Sequence, residues 1–510
     1  MTTEQQPDAT PGDPHAALRR SIYALLIVIA VGHMSGRILA VNSENYARLS
    51  QSRINQRLDQ FRAQQEASGA DEATIADRMD RKRAELEEKL GMERPFLSAN
   101  DRSRWLTVRS LVEEGTYEVD NFFREPRWDS IDMVSHLGRD GERHYYSSKP
   151  PLLATMLAPK YWLITKITGW NLGTHPYEVG RLMLLLTNVP AMIVLFVVIA
   201  ALAEQLGTTD WGRIFVVATA CFATLLTTFA ATLNNHIIGA TSAAVAIYFF
   251  VQIARRPEPR GWHFLACGLA AAFTAANELP AAAFLALLGV ILLVHDWKRT
   301  LIWGVPGVLL VAAAFFTTNY IAHDSLRIPY MHRSDDDPAD DWYTYSYEKD
   351  GRIIQSYWQN RQGIDIGEPD PGVYALHVLI GHHGVYSLTP VWLLTLVGMG
   401  IWAAKGRIER EMALMAFVLT LTCFVFFIVL RDQDDRNYGG MTSGFRWMFW
   451  LAPFWLAVLL PAVDWMSRKR WARGVALVLL CLSLVSVSYP TWNPWQQPWI
   501  YNAMEHFGLL

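Results

Sequence analysis

The sequence predicts an all-α polytopic membrane protein with about eleven transmembrane helices. Hydrophobic residues fill 51% of its 510 positions, including 20 Trp, 23 Phe and 19 Tyr. Apolar runs recur at the length needed to cross a hydrocarbon core of roughly 30 Å. One registration of those runs also gives every connector on one side a basic residue, as cytoplasmic connectors have.

The chain opens with a polar, Pro-rich tail, residues 1–20, and enters its first span at 21–41. No small-residue cleavage site follows the apolar stretch, which therefore reads as a retained signal anchor. Further spans are expected at 179–204, 211–232, 234–253, 262–278, 281–296, 300–321, 386–404, 411–430, 447–464 and 472–489. With a cytoplasmic N-terminus in a cell (inner) membrane, the inner connectors carry Arg213, then Arg255, Arg256 and Arg260, then Lys298 and Arg299, then Lys405, Arg407 and Arg410, then Arg468, Lys469, Arg470 and Arg473. The short outer turns near 233–236 and 278–281 have no Lys or Arg. Residues 152–168 are apolar too, but Pro159, Lys160, Lys166 and the short length suit a helix lying in the interface.

This registration sends the large polar segments outward: 42–149, 322–385, 431–446 and the tail after Ser488. The divisions that follow are an extracytoplasmic helical hairpin at 44–93, a first outer loop with interfacial helices at 94–178, spans over 179–321, a second large loop at 322–385, spans over 386–489, and an aromatic tail at 490–510. The hairpin expectation rests on apolar positions Leu49, Ile54, Leu58 and Phe61, then Ile75, Met79, Leu86 and Leu90, with a break at Ser68–Gly69. Such a charge-laced helical pair reads as a solvated spacer or self-association arm. Trp492, Trp495 and Trp499 in the tail suit an interfacial belt, or a cap over a site.

Composition excludes some functions. A net charge of -3 with scattered basic residues argues against nucleic acid. Cys221, Cys267, Cys423 and Cys481 all fall in apolar runs without paired spacing, so neither a disulfide framework nor a zinc site is expected.

Candidate chemistry lies outside. Asp101, in LSANDRSRW, stands at an expected helix start, where capping alone explains an acid. Lys149, in HYYSSKPPL, must sit where an outer loop meets the lipid interface, either snorkelling or engaging an anion. Arg446 near a span end reads as an interfacial anchor on position alone.

Taken together, Asp101 with Arg104 and Trp105, the LVEEGTY turn at Tyr117, and Tyr145-Tyr146-Ser-Ser-Lys149-Pro-Pro resemble the first outer loop of GT-C membrane glycosyltransferases, in particular protein O-mannosyltransferases and lipid A aminoarabinose transferases. TNY at 318–320 with Ile328-Pro329-Tyr330, GHHGVYSLTPVWLL at 381–394 and YGGMTSGFRWMFWLAPFWLAVLLPA at 438–462 are similar to later motifs of that family, in order. The resemblance runs from about Asn100 to Ala462 and omits the 44–93 insertion.

It implies transfer of a hexose or pentose from a polyprenyl-phosphate donor to a glycan, lipid or protein acceptor, with inversion. Asp101 is then the general base, and Lys149 and Arg446 bind the donor phosphate. Arg104, Tyr145, Tyr146, Asn234, Asn235, His236, Glu278 and His383 are candidates for substrate binding. The family often has an acid on the outer turn after the third span, where this chain reads ATLNNHIIG. A metal-assisted or two-acid mechanism is less firmly implied for that reason. No metal ligand is assigned, although the resemblance leaves room for a divalent cation. Adjacent His382 and His383 are expected to point apart, and the acidic runs Asp335–Asp341 and Asp432–Asp435 lack calcium-loop spacing and read as solvated loops.

Two rival classes remain. A transporter or flippase of lipid-linked saccharides also needs many spans, but internal repeats and matched broken helices are not evident. A membrane scaffold leaves the ordered acid and cation motifs unexplained.

Overall fold

The computed structural model describes residues 13–42, 46–69, 71–90, 94–125, 127–333, 337, 340–349 and 352–510. Most of the N-terminal tail and, within the acidic run, Asp335 and Asp336 lie outside them.

The chain is a multi-pass helical membrane protein. Each expected span coincides with a helix or a run of helical turns, and among the described residues seven runs are long and apolar enough to cross a membrane. One of these, Leu279–His323, covers two expected spans. It doubles back at Asp296, whose backbone leaves the helical region (φ -159, ψ 91) and whose carboxylate accepts from Arg299 N–H at 2.9 Å, capping the second half. At the centre stands Arg446–Met466, with 94% of its apolar window buried. Its neighbours are Leu393–Ala403, Asp210–Phe222, His236–Arg255 and Arg407–Val425.

Two spans differ from expectation. The run at 211–232 is helical only to Phe222; Thr224, Thr227 and Thr228 follow, their hydroxyls bonded to carbonyls of Ala220, Thr224 and Val487. Hydroxyls that bond backbone compete with a regular helix, so the chain continues as a short 3-10 turn, Thr228–Ala231. The run at 386–404 is broken at Thr389-Pro390, where Pro390 lacks the N–H a continuous helix needs.

The polar segments assemble at one end of the helices. Ala99–Glu113 starts under an N-cap by Ser98, which accepts from Asp101 N–H at 3.0 Å; the cap is therefore Ser98 rather than Asn100 or Asp101. Leu152–Thr168 packs on this helix and exposes Met156, Trp162, Leu163 and Ile167. Strands Met133–Leu137 and Arg143–Ser147 form an antiparallel hairpin, and Ser346–Lys349 pairs with Arg352–Gln355, so the otherwise all-α architecture carries two small β-hairpins outside the spans. The two large loops are stitched together by Ser135 N–H to Trp342 O (2.9 Å) and Trp358 Nε1–H to Ile131 O (2.8 Å). Helices Tyr46–Ala67 and Glu72–Leu90 pack on each other through Ile54, Leu58, Met79 and Leu86.

Candidate active site

Where the large polar loops meet the helix ends they form a cavity of about 960 Å³. Its lining includes Arg104, Asp132, Lys149, Asn235, His236, Glu278 and Arg446. A second part of the lining is apolar, formed by Leu279, Pro280, Cys423, Phe426, Phe427 and Trp447 from the membrane-spanning runs. The mouth holds Arg333, Arg431, Asp365, Asp432, Asp434 and Asp435. The 432–435 run is thus no freely solvated loop: Asp435 pairs with Arg333 (2.8 Å) and Arg431 (3.3 Å), and Asp434 with Arg361 (2.8 Å).

Lys149 reaches the cavity because the β-hairpin register, Met133 opposite Ser147, sets Asp132 beside it. Their ion pair spans 3.0 Å, and Lys149 also lies 5.5 Å from the Tyr330 ring. Burial alone pushes the Asp132 carboxyl up, but the charges of Lys149, Arg446 and Arg104 bring it below the usual carboxylate value. Asp132 is therefore ionised at neutral pH.

Arg104 and Arg446 are cations in neutral company. Arg104 donates to the Asn100 carbonyl (3.1 Å) and to Asn235 Oδ1 (2.6 Å). Arg446 donates to the Gly439 carbonyl (2.7 Å), with His236 Nε2 at 3.4 Å. Glu278 accepts from His236 Nδ1 (2.6 Å) and Asn235 Nδ2 (2.9 Å). Its side chain fits because position 239 is glycine: a Cβ there would fall 2.7 Å from Glu278 Cγ. Of the five Lys and Arg residues that line the cavity, Lys149, Arg333 and Arg431 are ion-paired, whereas Arg104 and Arg446 have no carboxylate partner among the described residues.

Five sequence candidates lie elsewhere. Asp101 is fully buried and does not line the cavity; its Oδ1 accepts from Trp105 Nε1 (2.8 Å) and Leu233 N–H (2.9 Å), clamping the first outer helix to the 233 turn. Burial raises its carboxyl to about 7. Tyr145 packs among Phe123, Tyr345 and Tyr347, and Tyr146 stacks on His136 at 4.3 Å. Asn234 accepts from Ile237 N–H (3.2 Å) and donates to the Phe229 and Thr232 carbonyls, a helix-start role. His383 lies against Tyr438 and His382. Contrary to expectation, the two adjacent imidazoles meet, Nδ1 to Nδ1 at 2.5 Å, because Gly381–Gly384 form a turn rather than a helix. Among the described residues no group of three or more His, Cys, Asp or Glu could hold a metal ion.

The residue that sequence reading missed is Asp132. Its signal was present: IDMVSHLGRDGERHYYSSK has a hairpin pattern around Asp140-Gly141, where Gly141 takes φ +84, and pairing outward from that turn brings 132 next to 149.

No family model and no curated protein matches this sequence. Among solved structures it is similar to apo ArnT from Cupriavidus metallidurans, with 14% identity over 74% of this chain and 57% of that one, TM-score 0.44. It is also similar to an Archaeoglobus fulgidus oligosaccharyltransferase in complex with Zn and sulfate, with 11% identity over 79% and 50%, TM-score 0.42. A third is the archaeal oligosaccharyltransferase AglB from Archaeoglobus fulgidus in complex with an inhibitory peptide and a dolichol-phosphate, with 11% identity over 78% and 51%, TM-score 0.38. These neighbours are GT-C superfamily members, the group that the sequence motifs resemble. The chain spans about half the length of the solved chains it matches. Likeness at this level carries neither their activities nor their site residues to this protein.

Proposed function

We propose that the protein is a membrane glycosyltransferase that moves a sugar from a polyprenyl-phosphate donor to an acceptor at the extracytoplasmic face. One observation carries this reading: Arg104, Lys149 and Arg446 converge from three separate chain segments on one chamber that is also lined by apolar side chains of the membrane-spanning runs, and of the three only Lys149 has a carboxylate ion-pair partner among the described residues. A largely enclosed guanidinium without an acidic partner is costly until an anion arrives, and an anion beside apolar side chains describes a lipid phosphate.

In the proposed reaction the acceptor oxygen attacks the anomeric carbon, the bond from that carbon to the phosphate oxygen breaks, and polyprenyl phosphate leaves with the electron pair. Arg104, Arg446 and Lys149 stabilise the charge that accumulates on the leaving phosphate in a poorly hydrated site. Asp132, rather than the enclosed Asp101, takes the acceptor proton. An arriving phosphate draws Lys149 towards itself and adds negative charge nearby, both of which raise the proton affinity of Asp132 at the moment it is needed. Glu278 holds His236 and Asn235 in place at the chamber floor.

The test is transfer from a radiolabelled polyprenyl-phosphate sugar in proteoliposomes. Asp132→Asn should lower turnover about 10²- to 10⁴-fold with donor binding retained. Undiminished turnover removes Asp132 as the base, and donor flipping without any sugar transfer by the wild type favours a flippase. Ile353, 81% exposed on the second hairpin, reports the face. A cysteine placed there, in a Cys481→Ser background, should label from outside the cell.

A further inference from the structure

Beyond the last span, Arg470–Ser488, the chain folds back over the chamber. Ser443 N–H donates to the Pro494 carbonyl at 2.9 Å, and Asn493 Nδ2 donates to the Leu97 carbonyl at 3.2 Å while its Oδ1 receives Trp495 N–H at 2.9 Å. This strap joins the start of the first outer helix to the segment that delivers Arg446. Trp495 lines the cavity, with its ring 4.9 Å from the Arg446 guanidinium carbon and edge-on to Phe229 at 5.4 Å.

The contact with Arg446 matters because that guanidinium has no carboxylate partner among the described residues. Its hydrogen bonds go to a carbonyl and an imidazole. An aromatic face attracts a cation through its quadrupole and leaves the charge intact, so the guanidinium is fixed in orientation yet free to meet an anion. A carboxylate in the same place would hold it equally well and compete with the ligand.

We infer that Trp495 is a positioning residue for the anion site: through Arg446 it makes the C-terminal strap part of the donor pocket. This rests on the donor reading above. Full-length protein in detergent micelles is titrated calorimetrically with farnesyl phosphate, and separately with farnesol. The wild type should bind farnesyl phosphate, and Trp495→Ala should weaken it about fivefold to thirtyfold. Trp495→Phe, which keeps an aromatic face, should stay within about threefold of the wild type. Should the alanine variant fail to fold, Trp495→Leu keeps bulk without that face and should weaken binding similarly. Trp492→Ala, on the same strap but 69% exposed, should change nothing.

Farnesol affinity should not move in any variant. Equal phosphate binding by the wild type and Trp495→Ala or Trp495→Leu overturns the inference and leaves the donor reading intact. Equal loss of farnesol and farnesyl phosphate assigns Trp495 a merely structural role and also overturns it. Absence of farnesyl phosphate binding by the wild type overturns the donor reading, and this inference with it.

Discussion

Arg19 and Arg104 are both almost fully buried guanidiniums, 2% and 7% exposed, at opposite ends of the molecule. Arg19 is enclosed by opposite charge: Glu204 accepts at 2.8 and 2.7 Å, Asp210 at 2.6 Å, and Asp13 lies at 2.7 Å. Tyr23 and Arg213 complete that knot, in which three acids meet two cations. Arg104 instead bonds a backbone carbonyl and two side-chain amides. Equal burial with different company separates a charge that ties helices together from one kept available for something outside the chain.

Removing each arginine should sharpen that contrast. Arg104→Ala should lower sugar transfer about 100-fold while the melting temperature stays within a few degrees, because its neutral partners tolerate its loss. Loss of folded protein, with normal activity in what remains, would make Arg104 structural and break the comparison. Arg19→Ala should do the reverse. It leaves Glu204 facing Tyr23 without its cation, at a cost of about 2–3 kcal/mol, below the value for a sealed pair because Asp13 and Asp210 stay part-exposed. Thermal unfolding should fall while turnover per folded molecule holds.

A smaller effect tests the acid that the two regions do not share. Asp101 in the unfolded chain loses its proton near pH 4, whereas in the folded protein it keeps it until about pH 7. Its contribution to stability is therefore full below pH 4 and is lost as the pH rises through 7. Asp101→Asn has no such titration. The melting temperature of the wild type relative to this variant should decline by several degrees between pH 4 and pH 7. A flat difference would mean that the carboxylate is hydrated and reachable from the chamber, reopening its candidacy as a base.

The membrane helices were readable because a span needs only length and apolarity. Breaks were harder to see: the threonines near 224–228 are apolar enough for a hydropathy average, yet their hydroxyls bond backbone and end the helix. At the site, position along the chain and the family resemblance singled out Lys149, Arg446, Arg104, Asn235, His236 and Glu278, and all six line the cavity. What position could not show is which side of a helix faces inward. Asn100 and Arg104 share one face through i, i+4 spacing, and Asp101 and Trp105 share the next. That rotation of about 100° puts Arg104 on the chamber and Asp101 in the core, which is why Asp132 is proposed as the base in its place. His382 and His383 taught the related lesson that neighbours in a glycine-flanked turn need not diverge.

The charged two-helix arm leaves and rejoins the body at anchored points. Arg181 Nε donates to the Val41 carbonyl at 2.7 Å on one side, and Arg94 pairs with Asp129 at 2.8 Å on the other. Ile38, Val41, Phe96 and Leu97 share one apolar cluster beneath it. A domain fused to the arm would therefore be flanked by two segments held to the body, a place to add mass for particle alignment in electron microscopy.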